Sequence, residues 1–218
     1  RNLDDLKKEP KKLISSFRMQ DFEDLNVLTP GITWNHDGTK LAISAKAGGE
    51  DAIFLVDIES EDYKKLEFGL RSISSVNWSP DGNSLAFIGS ALGQTDIYVY
   101  NFKSKKLNNI TKDVFSDFHP VWSPDSKKLY FISDRSDKLE NNISSDDLKM
   151  WNFSFNNIDI YSMNIDDNKI ERLTFSPEFN KTSLALSSNG KDMLFTADDN
   201  GILNIYKMNL ESKRIIPV

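Results

Sequence analysis

Short apolar runs recur along the whole chain, each bounded by small clusters of Gly, Asn, Asp and Ser. One set comprises Leu41-Ala-Ile43, Leu85-Ala-Phe-Ile88, Leu129-Tyr-Phe-Ile132 and Met193-Leu-Phe195. A second comprises Ile97-Tyr-Val-Tyr100, Ile160-Tyr-Ser-Met163 and Ile205-Tyr-Lys-Met208, each opening after Asp or Asn. A third closes the series at residues 106–111, 170–174 and 212–216. Brief β-branched and aromatic runs punctuated by turn formers are the signature of strands. No segment repeats its apolar positions at helical spacing, so the pattern predicts an all-β chain.

The runs belong to a larger period. The segments Trp34-Asn-His-Asp-Gly38, Trp78-Ser-Pro-Asp-Gly82 and Trp122-Ser-Pro-Asp-Ser126 place their tryptophans 44 residues apart, and Leu186-Ser-Ser-Asn-Gly190 follows as a weaker copy. Proline presets the backbone at the second turn position, Asp bonds back to local amides, and Gly accepts the left-handed exit. The tryptophan before each turn is expected to pack between neighbouring sheets. Four short strands per repeat of this length predict a β-propeller built from four-stranded antiparallel blades. The whole chain, residues 1–218, reads as one such domain with about four and a half repeats. Residues 1–3 and 10–14 are expected to finish a blade that precedes the first complete one. The wider gap before Leu186 marks an insertion at about residues 136–157.

Composition narrows the function. The net charge of −6 lacks the basic face that nucleic acid requires, and no apolar run is long enough to cross a membrane as a helix. Absence of cysteine excludes thiol catalysis, disulfides and cysteine-ligated zinc. The two histidines, His36 and His119, lie 83 residues apart in different kinds of loop, and no His-Glu-x-x-His, Gly-x-Ser-x-Gly or phosphate-cradling glycine loop is present. Asp198-Asp-Asn-Gly201 lacks the alternating ligands of a calcium loop and reads as a tight hairpin turn. The expectation is a chain with no catalytic residue, no cofactor and no metal.

The run Trp78-Ser-Pro-Asp-Gly82, Leu85-Ala-Phe87, Asp96-Ile-Tyr98 and Leu107 to Thr111 resembles the WD-like repeat of the TolB-type propeller family. The same repeat occurs in propellers of prolyl oligopeptidase-like and tricorn-type peptidases. The resemblance extends from about Thr29 onward, with departures at His36, Ser188 and Leu186. It implies a six-bladed propeller, so the native protein is expected to be longer than this chain. It further implies a periplasmic or otherwise extracytoplasmic scaffold that binds a protein or peptide. The alternative is the substrate-gating propeller of a serine peptidase whose catalytic domain lies outside this chain.

Antiparallel strands reverse at every turn, so the Ser-Pro-Asp-Gly turns share one face. The connections between blades and the insertion share the other. Asp81 and Asp125 are then structural turn residues. The connection face holds Asp113, Asp117 and His119, together with Trp151, Phe153 and Phe155, which alternate at strand period within the insertion. Aromatic anchors beside carboxylates suit a partner with apolar and basic groups. The same residues also admit a plainer reading, as a strand extension packed on its own blade and a polar, wet channel. The turn face is expected to offer little shape for recognition.

Overall fold

The computed structural model describes residues 13, 22–25, 31–91, 94–140, 143–146, 148, 158–176, 179–199 and 201–218. Among these there is no helix, and hence none long and apolar enough to cross a membrane. Four antiparallel sheets follow one another along the chain. Blade 1 comprises β1 (Asp24–Leu25), β2 (Ile32–Trp34), β3 (Lys40–Ala47), β4 (Glu50–Asp57) and β5 (Tyr63–Leu70), with β1 and β2 both pairing along β3. Blade 2 comprises β6 (Ser72–Trp78), β7 (Ser84–Ser90), β8 (Asp96–Asn101) and β9 (Lys106–Asn109). Blade 3 comprises β10 (Asp117–Trp122), β11 (Lys128–Ser133), β12 (Asp159–Asn164) and β13 (Ile170–Arg172). Blade 4 comprises β14 (Lys181–Leu186), β15 (Asp192–Asp199), β16 (Ile202–Asn209) and β17 (Ile215–Pro217).

The repeat seen in the sequence is a repeat of register. Trp34 pairs with Leu41, Trp78 with Leu85, Trp122 with Leu129 and Leu186 with Met193, each closing the first strand of its blade. First strands of successive sheets touch one another (β2 with β6, β6 with β10, β10 with β14), so the sheets fan around an axis lined by those strands. The fan is held by cores between sheets. Alternate side chains of β12 show how, because Tyr161 and Met163 pack toward blade 2 whereas Ile160 packs toward blade 4. Trp122 is 5% exposed in this packing and donates its indole N–H to the Asn77 carbonyl of the preceding blade at 3.2 Å. Trp78 packs likewise between blades 1 and 2. Trp34 departs from the expectation and is 53% exposed, because among the described residues no sheet stands on that side of blade 1.

The turns behave as their chemistry dictates. Gly82 donates its N–H to the Ser79 carbonyl at 2.9 Å with φ at 75°, Ser79 Oγ donates to Asp81 Oδ1 at 2.6 Å, and Asp81 Oδ1 accepts the Asn83 N–H at 3.0 Å. The turn at Ser123–Ser126 repeats these bonds, with Ser126 taking the left-handed position. Residues 136–157 do join the second strand of blade 3 to the third. The described part folds back: the Tyr161 hydroxyl donates to the Ser136 carbonyl at 2.8 Å, and the Val114 N–H donates to the Ile143 carbonyl at 3.1 Å. Residues 1–12 lie outside the described residues, and so does the blade expected there.

Candidate functional site

Each blade turns its connections toward the end where third strands begin, and ionisable groups collect there at the junctions between blades. At the junction of blades 2 and 3, Asp96 opens β8, Asp117 opens β10, and Asp113 lies in the segment joining the two blades. Asp96, Asp113 and Asp117 each offer a carboxylate oxygen, all within 4.8 Å of one another. Arg135, just past β11, enters from beneath and is fully buried. Its Nη2 donates to Asp117 Oδ1 at 2.8 Å, its Nε donates to Ser133 Oγ at 3.1 Å, and its Nη1 stands 3.2 Å from Asp113 Oδ2. The rings of Phe115, Phe131 and Tyr161 surround the guanidinium with centroids 5.3–5.8 Å away. A delocalised guanidinium tolerates this partly apolar seat better than an ammonium would.

Hydrogen bonds fix the remaining geometry. Asp113 Oδ1 accepts the Phe115 N–H at 2.9 Å, Asp96 Oδ2 accepts from Asn109 Nδ2 at 2.8 Å, and Asp134 Oδ1 accepts the Ser116 N–H at 2.9 Å. Asp96 Oδ1 and Asp117 Oδ2 are buried without a hydrogen-bond donor, and Asp113 Oδ2 has the Arg135 ion pair but no hydrogen bond. The titration behaviour follows. Burial, with the Asp117 charge adding to it against the pull of Arg135, pushes the Asp113 carboxyl up to about 7. Burial raises Asp134 to about 6 and moves Asp96 upward as well. Burial opposes the Arg135 charge, but Asp117 and Asp113 outweigh it and hold the guanidinium above its usual value.

The corresponding junction of blades 3 and 4 is built differently. Asp159 sits between Lys181 Nζ at 2.7 Å and Arg172 Nη2 at 2.5 Å, and Thr174 Oγ1 donates to it at 2.5 Å. Burial raises this carboxyl, yet the bonds from Lys181, Thr174 and Arg172 outweigh it and leave Asp159 below its usual value. Arg172 also pairs with Asp137 at the start of the insertion and lies 4.9 Å from the exposed Phe175 ring.

The structure thus separates the residues the sequence grouped. Asp113 and Asp117 are 4% and 0% exposed, so their carboxylates serve the junction and do not present themselves at the surface. His119 is exposed, with φ at 49°, at the β-bulge of β10, where Ser75 takes the same left-handed conformation in β6. Trp151, Phe153 and Phe155 lie outside the described residues. Sequence reasoning missed apolar side chains exposed on the connection end, among them Phe118 at 36%, Leu139 at 39% and Phe175 at 69%. Phe175 could have been found, since it directly follows Thr174, the counterpart of Thr111. The turn face also differs from expectation. A cleft of about 500 Å³ opens between the turns of blades 1 and 2, lined by His36, Asp37, Leu55, Trp78 and Phe102 among others.

Comparison with known proteins agrees with this architecture. A family model described as the TolB beta propeller domain matches residues 17–156. No curated protein matches. Among solved structures, TolB from Acinetobacter baumannii superposes with a TM-score of 0.67 at 21% identity, over 86% of this chain and 42% of that one. A putative TolB from Agrobacterium tumefaciens gives 0.65 at 20% identity, over 87% and 61% respectively. A prolyl endopeptidase gives 0.61 at 14% identity, over 87% of this chain and 29% of its own. At these identities the likeness is one of fold, and the chain spans less than two thirds of each of these proteins.

Proposed function

This chain belongs to the TolB beta propeller domain family, and on that premise we propose that it is a non-catalytic scaffold binding a protein or peptide partner outside the bacterial cytoplasm. The observation that carries the reading is the connection end of blades 2 to 4. There hydrogen-bonded, buried junctions tether the connections, while Phe118, Leu139 and Phe175 expose apolar surface and His119 is exposed as well. Interfaces draw their energy from a few such anchors set on a stiff support. The partner surface continues into the insertion, with Trp151, Phe153 and Phe155 as its further anchors. Asp113 and Asp117 support that surface from below.

The test is capture of a partner from an envelope extract, followed by affinity measurement with variants. Phe175→Ala and Trp151→Ala should each weaken binding about 30-fold or more, as loss of a true anchor does. Asn83→Ala on the turn face should leave it unchanged. Equal loss from both faces, or an interface mapped to the cleft between Trp78 and Phe102, overturns the assignment. The gating propeller of a serine peptidase is the competing outcome, and capture of the chain on a covalently linked hydrolase domain would select it.

A further inference from the structure

The junction of blades 2 and 3 carries a charge deficit that its neighbours do not. We propose that it binds one divalent cation of the calcium type through Asp96, Asp113 and Asp117. Internal comparison of equivalent positions shows the deficit directly. Asp96 pairs with Gly89 and Asp159 pairs with Ser133, each four residues beyond the partner of the blade's signature residue. Asn109 lies opposite Tyr98, and Arg172 lies opposite Tyr161. Asp117 and Lys181 each open the first strand of the following blade, five residues before Trp122 and Leu186. The junction of blades 3 and 4 therefore carries Arg172 and Lys181 where the junction of blades 2 and 3 carries Asn109 and Asp117. Blades 1 and 2 meet at Asp51, which has Lys46 Nζ 2.9 Å from Oδ1 and the Ile73 N–H on Oδ2. Among the described residues, two junctions are neutralised by a lysine, and the middle one has Arg135 alone against three carboxyls.

A second observation, independent of that count, points to a ligand. Asp117 is 0% exposed, and its Oδ2 accepts no hydrogen bond although its Oδ1 is fixed by Arg135. Asp96 Oδ1 is similarly bare while Oδ2 is fixed by Asn109. Both carboxylates are thus oriented by one oxygen and leave the other without a donor in a closed space. Burying an ion without a counterion costs several kcal/mol. When all three carboxyls are ionised, Arg135 offsets one of their three negative charges, and a divalent ion cancels the remaining two. All three donors are carboxylate oxygens, the hard ligands that calcium and magnesium take. Oxygens on opposite sides of a calcium ion stand roughly 4.6–5.2 Å apart, and on magnesium about 4.0–4.2 Å. The three carboxylate oxygens, all within 4.8 Å of one another, are close enough to share one ion, and an irregular oxygen set suits calcium, which accepts flexible geometry, better than magnesium, which demands an octahedron. The site is structural in effect, clamping the connection from Thr111 to Asp117 to blade 2.

The experiment uses the purified protein stripped with chelator and titrated with calcium chloride, read by calorimetry and by thermal melting. One ion per chain should bind, raise the melting midpoint, and be reversed by chelator, with magnesium giving a smaller shift. Asp96→Asn, which keeps a group for Asn109 to bond, should weaken calcium binding tenfold or more. Asn109→Arg copies Arg172 and supplies a permanent cation, so it should abolish the calcium response while keeping the chelated protein folded. No calcium-dependent heat or midpoint shift at millimolar concentration overturns the proposal, as does an undiminished response in Asn109→Arg. Should Asp96→Asn fail to fold, the wild-type titration and Asn109→Arg still decide the matter.

Discussion

Replacing Trp122 by Ala removes a side chain that is 5% exposed, whereas the same change at Trp34 removes one that is 53% exposed at the equivalent register position. A fully buried tryptophan removes on the order of 200 Å² from water, worth about 5 kcal/mol at 25 cal/mol per Å². Measured tryptophan truncations in cores cost about 3–5 kcal/mol, which includes the cavity left behind. Trp122 should fall at the upper end, because its indole N–H also bonds to the Asn77 carbonyl and that acceptor is left unpaired. Trp34 has about half its surface in water already, and its removal opens no closed cavity, so the same reasoning gives about 2 kcal/mol. Urea denaturation followed by far-ultraviolet circular dichroism is the appropriate assay, since fluorescence would change with the tryptophan itself. Midpoints should shift by clearly different amounts at unchanged slope. Equal losses at the two positions would refute the claim that stacking of neighbouring blades, and not the turn motif, gives the tryptophan its value.

Two further outcomes follow from the junction of blades 2 and 3. Arg135→Met removes the one cation that faces Asp113 and Asp117 among the described residues, and should cost about 3–5 kcal/mol by chemical denaturation, as breaking one side of a buried pair does. In chelator the stability contributed by Asp113 and Asp134 should be complete below their ordinary pKa near 3.8 and lost as pH rises through about 6 and 7, because the folded state holds those protons more tightly. Melting midpoints measured from pH 4 to 8 should fall over that window in the wild type. A flat profile would show that the carboxylates are not buried against one another.

The blade architecture was open to sequence reasoning because each element of it is local. A turn such as Ser79 to Gly82 and the strand after it lie within a dozen residues, and their chemistry repeats. The insertion at about residues 136–157 was likewise read from a gap in a period, and it falls between β11 and β12. The junction cluster was not readable, although Asp113 and Asp117 were noticed. Its members come from the third strand of one blade, the connection, the first strand of the next blade and the segment just past its second strand, and Arg135 carries no sequence mark. Burial was equally hidden: an acidic connection such as Thr111 to Asp117 reads as a solvated loop until Phe115 and Arg135 are seen to draw it inward. The cleft at Trp78 and Phe102 was missed because it lies between two turns that are each individually regular.

The strand order within each sheet also governs how the chain reaches this structure. Almost every strand pairs with its immediate neighbours in sequence, so only short loops must close before a pairing forms. Local pairing of this kind favours fast folding, blade by blade. β1 skips β2 to pair with β3, and the one long closure among the described pairings is β11 with β12, whose ends at Ser133 and Asp159 enclose the insertion, against Ser90 and Asp96 in the blade before. Closing a loop some five times longer adds roughly 1.4 kcal/mol of entropy to that step. Blade 3 is therefore the late piece, completed between neighbours already formed on either side. Since the Asp113–Asp117–Arg135 junction belongs to it, the cluster assembles last, when blade 2 already presents Asp96 to receive it.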